Sequence, residues 1–162
     1  MSISDQRWLR TLQRLLAGSG INPGQLVFEL TEDAAMAEID VTAQFVQQIK
    51  AAGARFSIDA FSGGFDSFYY LKRVDIDYLK LDGALVRDLV ADRSNAVFLK
   101  ALTDIARGLS RQIIAPCVES QEVLASLIEL GTEYAQGFLF ERPTPLDGAG
   151  DQQSSAQTPN AA

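Results

Sequence analysis

Glu29, Asp59, Lys80 and Asp82 each stand at or near the end of a short apolar run: Leu26-Val-Phe-Glu29, Phe56-Ser-Ile-Asp59 and Tyr78-Leu-Lys-Leu-Asp82. A carboxylate or an ammonium on a buried strand is costly unless it is paired or binds something. When neighbouring strands all end this way, the charges gather at one rim of a sheet, where α/β proteins hold ligands. Acid–base work by carboxylates and lysine, or a hard cation held by oxygen ligands, is the chemistry such a rim supports.

The composition narrows that chemistry further. The chain of 162 residues has no histidine, which removes Ser-His-Asp triads, Cys-His pairs and His-bound metals. Cys117 is the single cysteine, so neither an internal disulfide nor a thiolate metal cluster can form. A net charge of −7 without a Lys/Arg cluster argues against nucleic-acid polymers and anionic membrane surfaces as partners. No apolar run approaches the roughly 20 residues of a membrane helix, and nothing resembles a secretory leader. A cytoplasmic location is the resulting expectation. With 47% hydrophobic residues, the chain can bury a core of its own as one domain.

The elements that must position these groups follow from the patterning. Trp8, Leu9, Leu12, Leu15 and Leu16 form a helical stripe, with Ser4 and Asp5 as caps and Gly18, Gly20 and Pro23 as stops. A strand over 25–31 is followed by a helix over 34–52 that halts at Gly53. Strand 55–59 leads through a glycine-rich loop to a helix over 67–73. Strand 76–81 precedes a long helical region reaching Leu109. Strand 112–115, helix 121–130 and a short strand over 134–137 complete the series. Roughly five strands alternating with helices are the mark of a parallel sheet built from βα units. From Asp147 the residues are small and polar without apolar period, which predicts a domain over 1–146 and a disordered tail over 147–162.

Period-2 alternation sorts the strands by face. Phe28, Leu30, Phe56, Ile58, Leu79 and Leu81 fall on an apolar face, and Glu29, Ser57, Asp59, Lys80 and Asp82 on the other. Each charge alone has a bland reading: Glu29 a solvated carboxylate, Asp82 a partner for Lys80, Asp59 a helix cap. Four on adjacent strands favour a site. The stripes Trp8/Leu12/Leu15 and Val97/Leu102/Ile105 read as core, and Cys117 as an inert packing residue.

The order of motifs resembles the EAL domain, the family of bacterial cyclic-di-GMP phosphodiesterases and their inactive relatives. The residues that carry the resemblance are Phe28-Glu-Leu-Thr-Glu32, Ile58-Asp-Ala-Phe-Ser-Gly-Gly-Phe-Asp-Ser67, Asp77-Tyr-Leu-Lys-Leu-Asp82, Ala115-Pro-Cys-Val-Glu119 and Gln136-Gly-Phe-Leu-Phe140. It implies part of a (β/α)8 TIM-like barrel and, in active relatives, Mg²⁺ or Mn²⁺. It gives Glu29 and Asp59 the positions of metal ligands and Lys80 that of the active-site lysine. Glu32 takes the position that steadies the loop after the Asp-Asp-Phe-Gly strand, and Asp82, Glu119 and Gln136 take positions around the ligand pocket.

Departures from the motifs point away from catalysis. Ala60 replaces the second aspartate of Asp-Asp-Phe-Gly, Ser62 its glycine, and Pro116 the first glutamate of Ala-Glu-Gly-Val-Glu. Ser2 stands where the family has a metal-binding asparagine. The Glu-Ala-Leu segment and the first part of the barrel have no counterpart. A two-metal site clamps attacking and leaving oxygens between ions about 4 Å apart, and it fails without its ligands. The leading expectation is a degenerate, inactive module that binds cyclic-di-GMP or regulates through it, with no metal cofactor as it stands. Residual metal-dependent phosphodiesterase activity and a ligand-free interaction module are the alternatives. Five strands cannot close an eight-stranded barrel, so an upstream signalling domain, a partner protein or a homodimer is expected to cover the open edges.

Overall fold

The computed structural model describes residues 6–64 and 67–144. Caps proposed at Ser4 and Asp5, the Ser2 position and the tail over 147–162 lie outside the described residues.

Helix α1 (Gln6–Ser19) lays Leu9 into the core, with Trp8 and Leu12 packed partly buried against it. A short 3₁₀ turn (Pro23–Gln25), capped by the Asn22 side chain on the Gly24 amide, leads into β1 (Val27–Thr31). Then follow α2 (Glu32–Ala37), α3 (Ile39–Ala51), β2 (Arg55–Phe61), α4 (Ser67–Leu71), β3 (Tyr78–Leu81), α5 (Gly83–Arg87), α6 (Arg93–Gly108), β4 (Gln112–Ala115), α7 (Gln121–Leu130) and β5 (Tyr134–Ala135). The strands form one parallel sheet in the order β1-β2-β3-β4-β5, the expected partial barrel.

Register explains the core. Leu30, Ile58, Leu79 and Ile113 line up across four strands, and Phe28 pairs with Phe56. Ile58, Leu79, Ile113 and Phe56 are buried under the helices. Trp8 packs tilted on Phe45, and Phe45 meets Phe56 edge-to-face, with ring centroids 5.6 and 6.0 Å apart, tying α1 and α3 to β2.

Several boundaries differ from the sequence reading. The helix expected over 34–52 is two helices, because Glu38 leaves helical dihedrals at φ −142° and ψ 73°. The Thr42 hydroxyl bridges that break by donating to the Ala35 carbonyl at 3.0 Å. The long region to Leu109 is also two helices, with Asp92 capping α6 through the Ser94 amide. Strands β1, β3 and β5 are shorter than expected and α4 ends at Leu71, whereas β2 runs on to Phe61. The core stripes are corrected too. Leu15 is 64% exposed, Val97 67% exposed and Ile105 outside the core, whereas Leu99, Leu102, Thr103 and Ala106 are the buried residues of α6.

The amino ends of the strands are locked by charge. Lys50 bridges Asp75 and Asp77 at 3.0 Å each, and Arg111 reaches Asp75 at 3.0 Å. Asp77 also accepts from the Phe56 amide at 2.9 Å, and Glu133 from the Ile113 amide at 2.9 Å. Partial burial works against the Lys50 ammonium, but hydrogen bonds and charge from Asp75 and Asp77 outweigh it and raise its pKa. The Lys50 hydrogen bond holds the Asp75 carboxyl below its usual range, against a smaller desolvation effect.

Candidate functional site

At the opposite, carboxyl-terminal end of the sheet, three of the expected residues come together. Lys80 Nζ lies 3.0 Å from Glu29 Oε2 and 3.8 Å from Asp59 Oδ1. The lysine side chain is only 15% exposed and the two carboxylates 36% each, so the group is half-desolvated and its pairing matters. Strand β2 separates β1 from β3, and its buried Ser57 sits opposite Glu29 in the register. A residue this small leaves room for Lys80 to reach across the strand.

Local backbone shapes the rim next to Asp59. The β2–β3 register shifts between Ile58 and Phe61, and Ala60 takes a left-handed φ of 55°. Irregularities of this kind re-aim side chains at strand ends beside sites. Strict alternation would put Phe61 with Asp59, yet Phe61 pairs with Leu81 and is fully buried.

Glu32, 6% exposed, anchors the loop after β2. Its Oε2 accepts from the Ser62 amide and the Ser62 hydroxyl at 2.9 Å each, and its Oε1 from the Ser67 hydroxyl. Ser62, at the position of the motif glycine, adds a hydroxyl donor to this carboxylate. Burial pushes the nearby Tyr70 phenol up, and the Glu32 charge adds to the effect.

The remaining expected residues are placed differently. Asp82 does not join the Lys80 cluster as the alternation implied: β3 ends at Leu81, and the Asp82 carboxylate caps α5 by accepting from the Ala84 amide at 2.7 Å. Glu119 and Gln136 lie past the ends of β4 and β5 and are exposed, with the backbone of Gln136 bonded to the segment just before Glu119. The Val118 amide donates to the Gln136 carbonyl at 3.0 Å and the Gln136 amide to the Ala115 carbonyl at 2.8 Å. Gly137 permits this approach, since a Cβ there would stand 2.2 Å from the Val118 carbonyl oxygen. Cys117 is not simply packing: at φ 59° its Sγ lies 3.0 Å from Arg87 Nη1. Nothing in the sequence pattern marked Arg87, because the two residues meet only through the β3–β4 pairing.

The EAL domain family model matches residues 1–143. The chain belongs to the EAL domain family. It is 35% identical over 133 residues to the probable cyclic di-GMP phosphodiesterase PdeA of Escherichia coli K12, covering 82% of this chain and 18% of that protein. It is 33% identical over 137 residues to the bifunctional diguanylate cyclase/cyclic di-GMP phosphodiesterase MucR of Pseudomonas aeruginosa, covering 85% of this chain and 20% of that protein. The chain thus spans about a fifth of these relatives. Among solved structures, a MucR phosphodiesterase in complex with c-di-GMP superposes with a TM-score of 0.82 at 31% identity, over 90% of this chain and 59% of that one. The FimX EAL domain from Pseudomonas aeruginosa bound to c-di-GMP gives 0.82 at 29% identity, over 88% and 58%. As an EAL domain of partial length, the chain carries the TIM-barrel-like sheet on which those domains are built. Among the described residues, no helix is long and apolar enough to cross a membrane.

Proposed function

We propose that this EAL domain is a regulatory module that binds cyclic di-GMP without hydrolysing it. The observation that carries the reading is the Lys80 ammonium set between Glu29 and Asp59. The two carboxylates that would hold a metal already share an internal cation, and Ala60 and Pro116 supply no further oxygen donors. Among the described residues no three Asp, Glu, Cys or His side chains group as a cation site requires. This donor set does not fit the Mg²⁺ or Mn²⁺ pair of the active-site motif, and no step is routed through one. Binding is supported from a different side: the Glu32 latch ties Ser62, just after β2, to Ser67 at the start of α4, and both superposed EAL structures hold c-di-GMP.

In this reading, Lys80, Asp82, Glu119 and Gln136 face the nucleotide from the carboxyl ends of β3, β4 and β5, while Glu29 and Asp59 hold Lys80 in place. Calorimetric titration with cyclic di-GMP, beside a hydrolysis assay in Mg²⁺ or Mn²⁺, tests both halves. Saturable binding with no linear dinucleotide above background is the expected result. Metal-dependent product that disappears in Asp59→Ala would establish a residual phosphodiesterase instead, and absence of binding would leave an interaction module without ligand. Restoring Ala60→Asp together with Pro116→Glu is expected to leave hydrolysis at background, since the Lys80 bridge still occupies Glu29 and Asp59.

A further inference from the structure

Arg87 ends α5, directly after β3, and its guanidinium reaches across to the loop that follows β4. Nη1 lies 3.0 Å from Cys117 Sγ. A Cβ added at Gly83 would stand 2.7 Å from that sulfur and 3.3 Å from Nη1, so glycine is what leaves the guanidinium its seat. Gly83 lies two residues past the end of β3 and Cys117 two residues past the end of β4, beyond the paired Lys80 and Ile114. Both therefore stand at the carboxyl end of the sheet, the end from which barrel ligands approach.

Charge balance gives this position its meaning. Glu29 and Asp59 against Lys80 leave the cluster one negative charge in excess, and Lys80 is already shared between two carboxylates. A phosphodiester arriving there needs another cation. Arg87 has no carboxylate partner among the described residues, and a thiol takes only one of its donors. Pro116, beside Cys117, offers no side-chain charge to compete for it. The guanidinium fork matches two phosphate oxygens at once, which an ammonium cannot do.

We infer that Arg87 is a phosphate-binding residue of this EAL rim, seated over Gly83 and braced by Cys117 to take one phosphodiester of the cyclic dinucleotide. The inference rests on the nucleotide-binding reading above and adds the residue that compensates for missing metal charge.

The test compares cyclic di-GMP affinity of the whole chain with that of Arg87→Gln and Arg87→Lys, and follows the Arg87 Nε–H resonance during titration with inorganic phosphate. Arg87→Gln is expected to weaken nucleotide binding about tenfold and to flatten its salt dependence, with the lysine variant in between. The resonance is expected to shift saturably with phosphate. Equal affinity in all three proteins overturns the role of Arg87 and leaves nucleotide binding standing. A phosphate-responsive Arg87 in a chain that ignores the nucleotide keeps the anion site and removes the nucleotide reading. No response to either removes both. Should Arg87→Gln fail to fold, the resonance of the unaltered chain decides alone.

Discussion

Lys80 Nζ and Glu29 Oε2 meet at 3.0 Å although their strands are not neighbours. The contact spans β2 and draws Asp59 in at 3.8 Å, so three strands share one ionic group at the ligand end of the sheet. A long flexible cation among strand-borne carboxylates neutralises a cluster that would otherwise repel itself.

Lys80→Met keeps the apolar stem and removes the charge. Glu29 and Asp59 would then face each other half-buried without a counter-ion. A loss of about 1–3 kcal/mol is expected. It would appear as a thermal midpoint lower by roughly 3–10 °C for a chain of this size. A midpoint equal to that of the unaltered protein would show that water, not Lys80, balances the carboxylates.

Ala60 occupies the left-handed region at φ 55° while exposed at the rim. A Cβ in that conformation costs about 1–2 kcal/mol that glycine escapes, although glycine also gains freedom when unfolded. Ala60→Gly is expected to raise the thermal midpoint by about 1–4 °C. If differential scanning calorimetry finds the glycine protein less stable, the left-handed backbone carries no strain.

Acid should loosen the opposite end of the sheet. The Lys50 hydrogen bond lowers the Asp75 pKa from 3.8, so the unfolded chain takes up that proton first as pH falls. The stabilisation from this pairing is complete above the unfolded value and vanishes as pH drops through the lower folded one. Asp75 is 63% exposed, so the increment is under about 1 kcal/mol. Asp75→Asn is expected to lower the midpoint slightly at neutral pH and to converge with the unaltered protein as pH falls below 3.8 and through the lowered folded value. Parallel curves across that range would refute the pairing.

Strands β1 and β5 are the edges of an open sheet, with Val27 43% and Tyr134 45% exposed along them. Unpaired edge strands recruit other chains. The isolated chain is expected to self-associate with rising concentration in light scattering, or to be held monomeric only by an added partner. A monodisperse, cooperatively melting monomer at high micromolar concentration would contradict this.

The sequence by itself determined the strands, their parallel βα order and the convergence of Glu29, Asp59 and Lys80. Alternation on a strand is a property of local backbone geometry, and each of these residues shares its face with its own neighbours. The same local rule failed where tertiary structure intervened. Asp82 lies two residues beyond Lys80, but the strand stops at Leu81 and the carboxylate turns to the Ala84 amide. Phe61 shares parity with Asp59, yet the register shift through Ala60 carries it into the core. Glu38 divides one apolar stripe into two helices whose join depends on the Thr42 hydroxyl reaching Ala35. The contacts of Arg87 with Cys117 and of Lys50 with Asp75 join residues 30 and 25 positions apart. Such pairs are fixed by strand register and helix placement, which no local pattern encodes, and so only the folded sheet could bring them together.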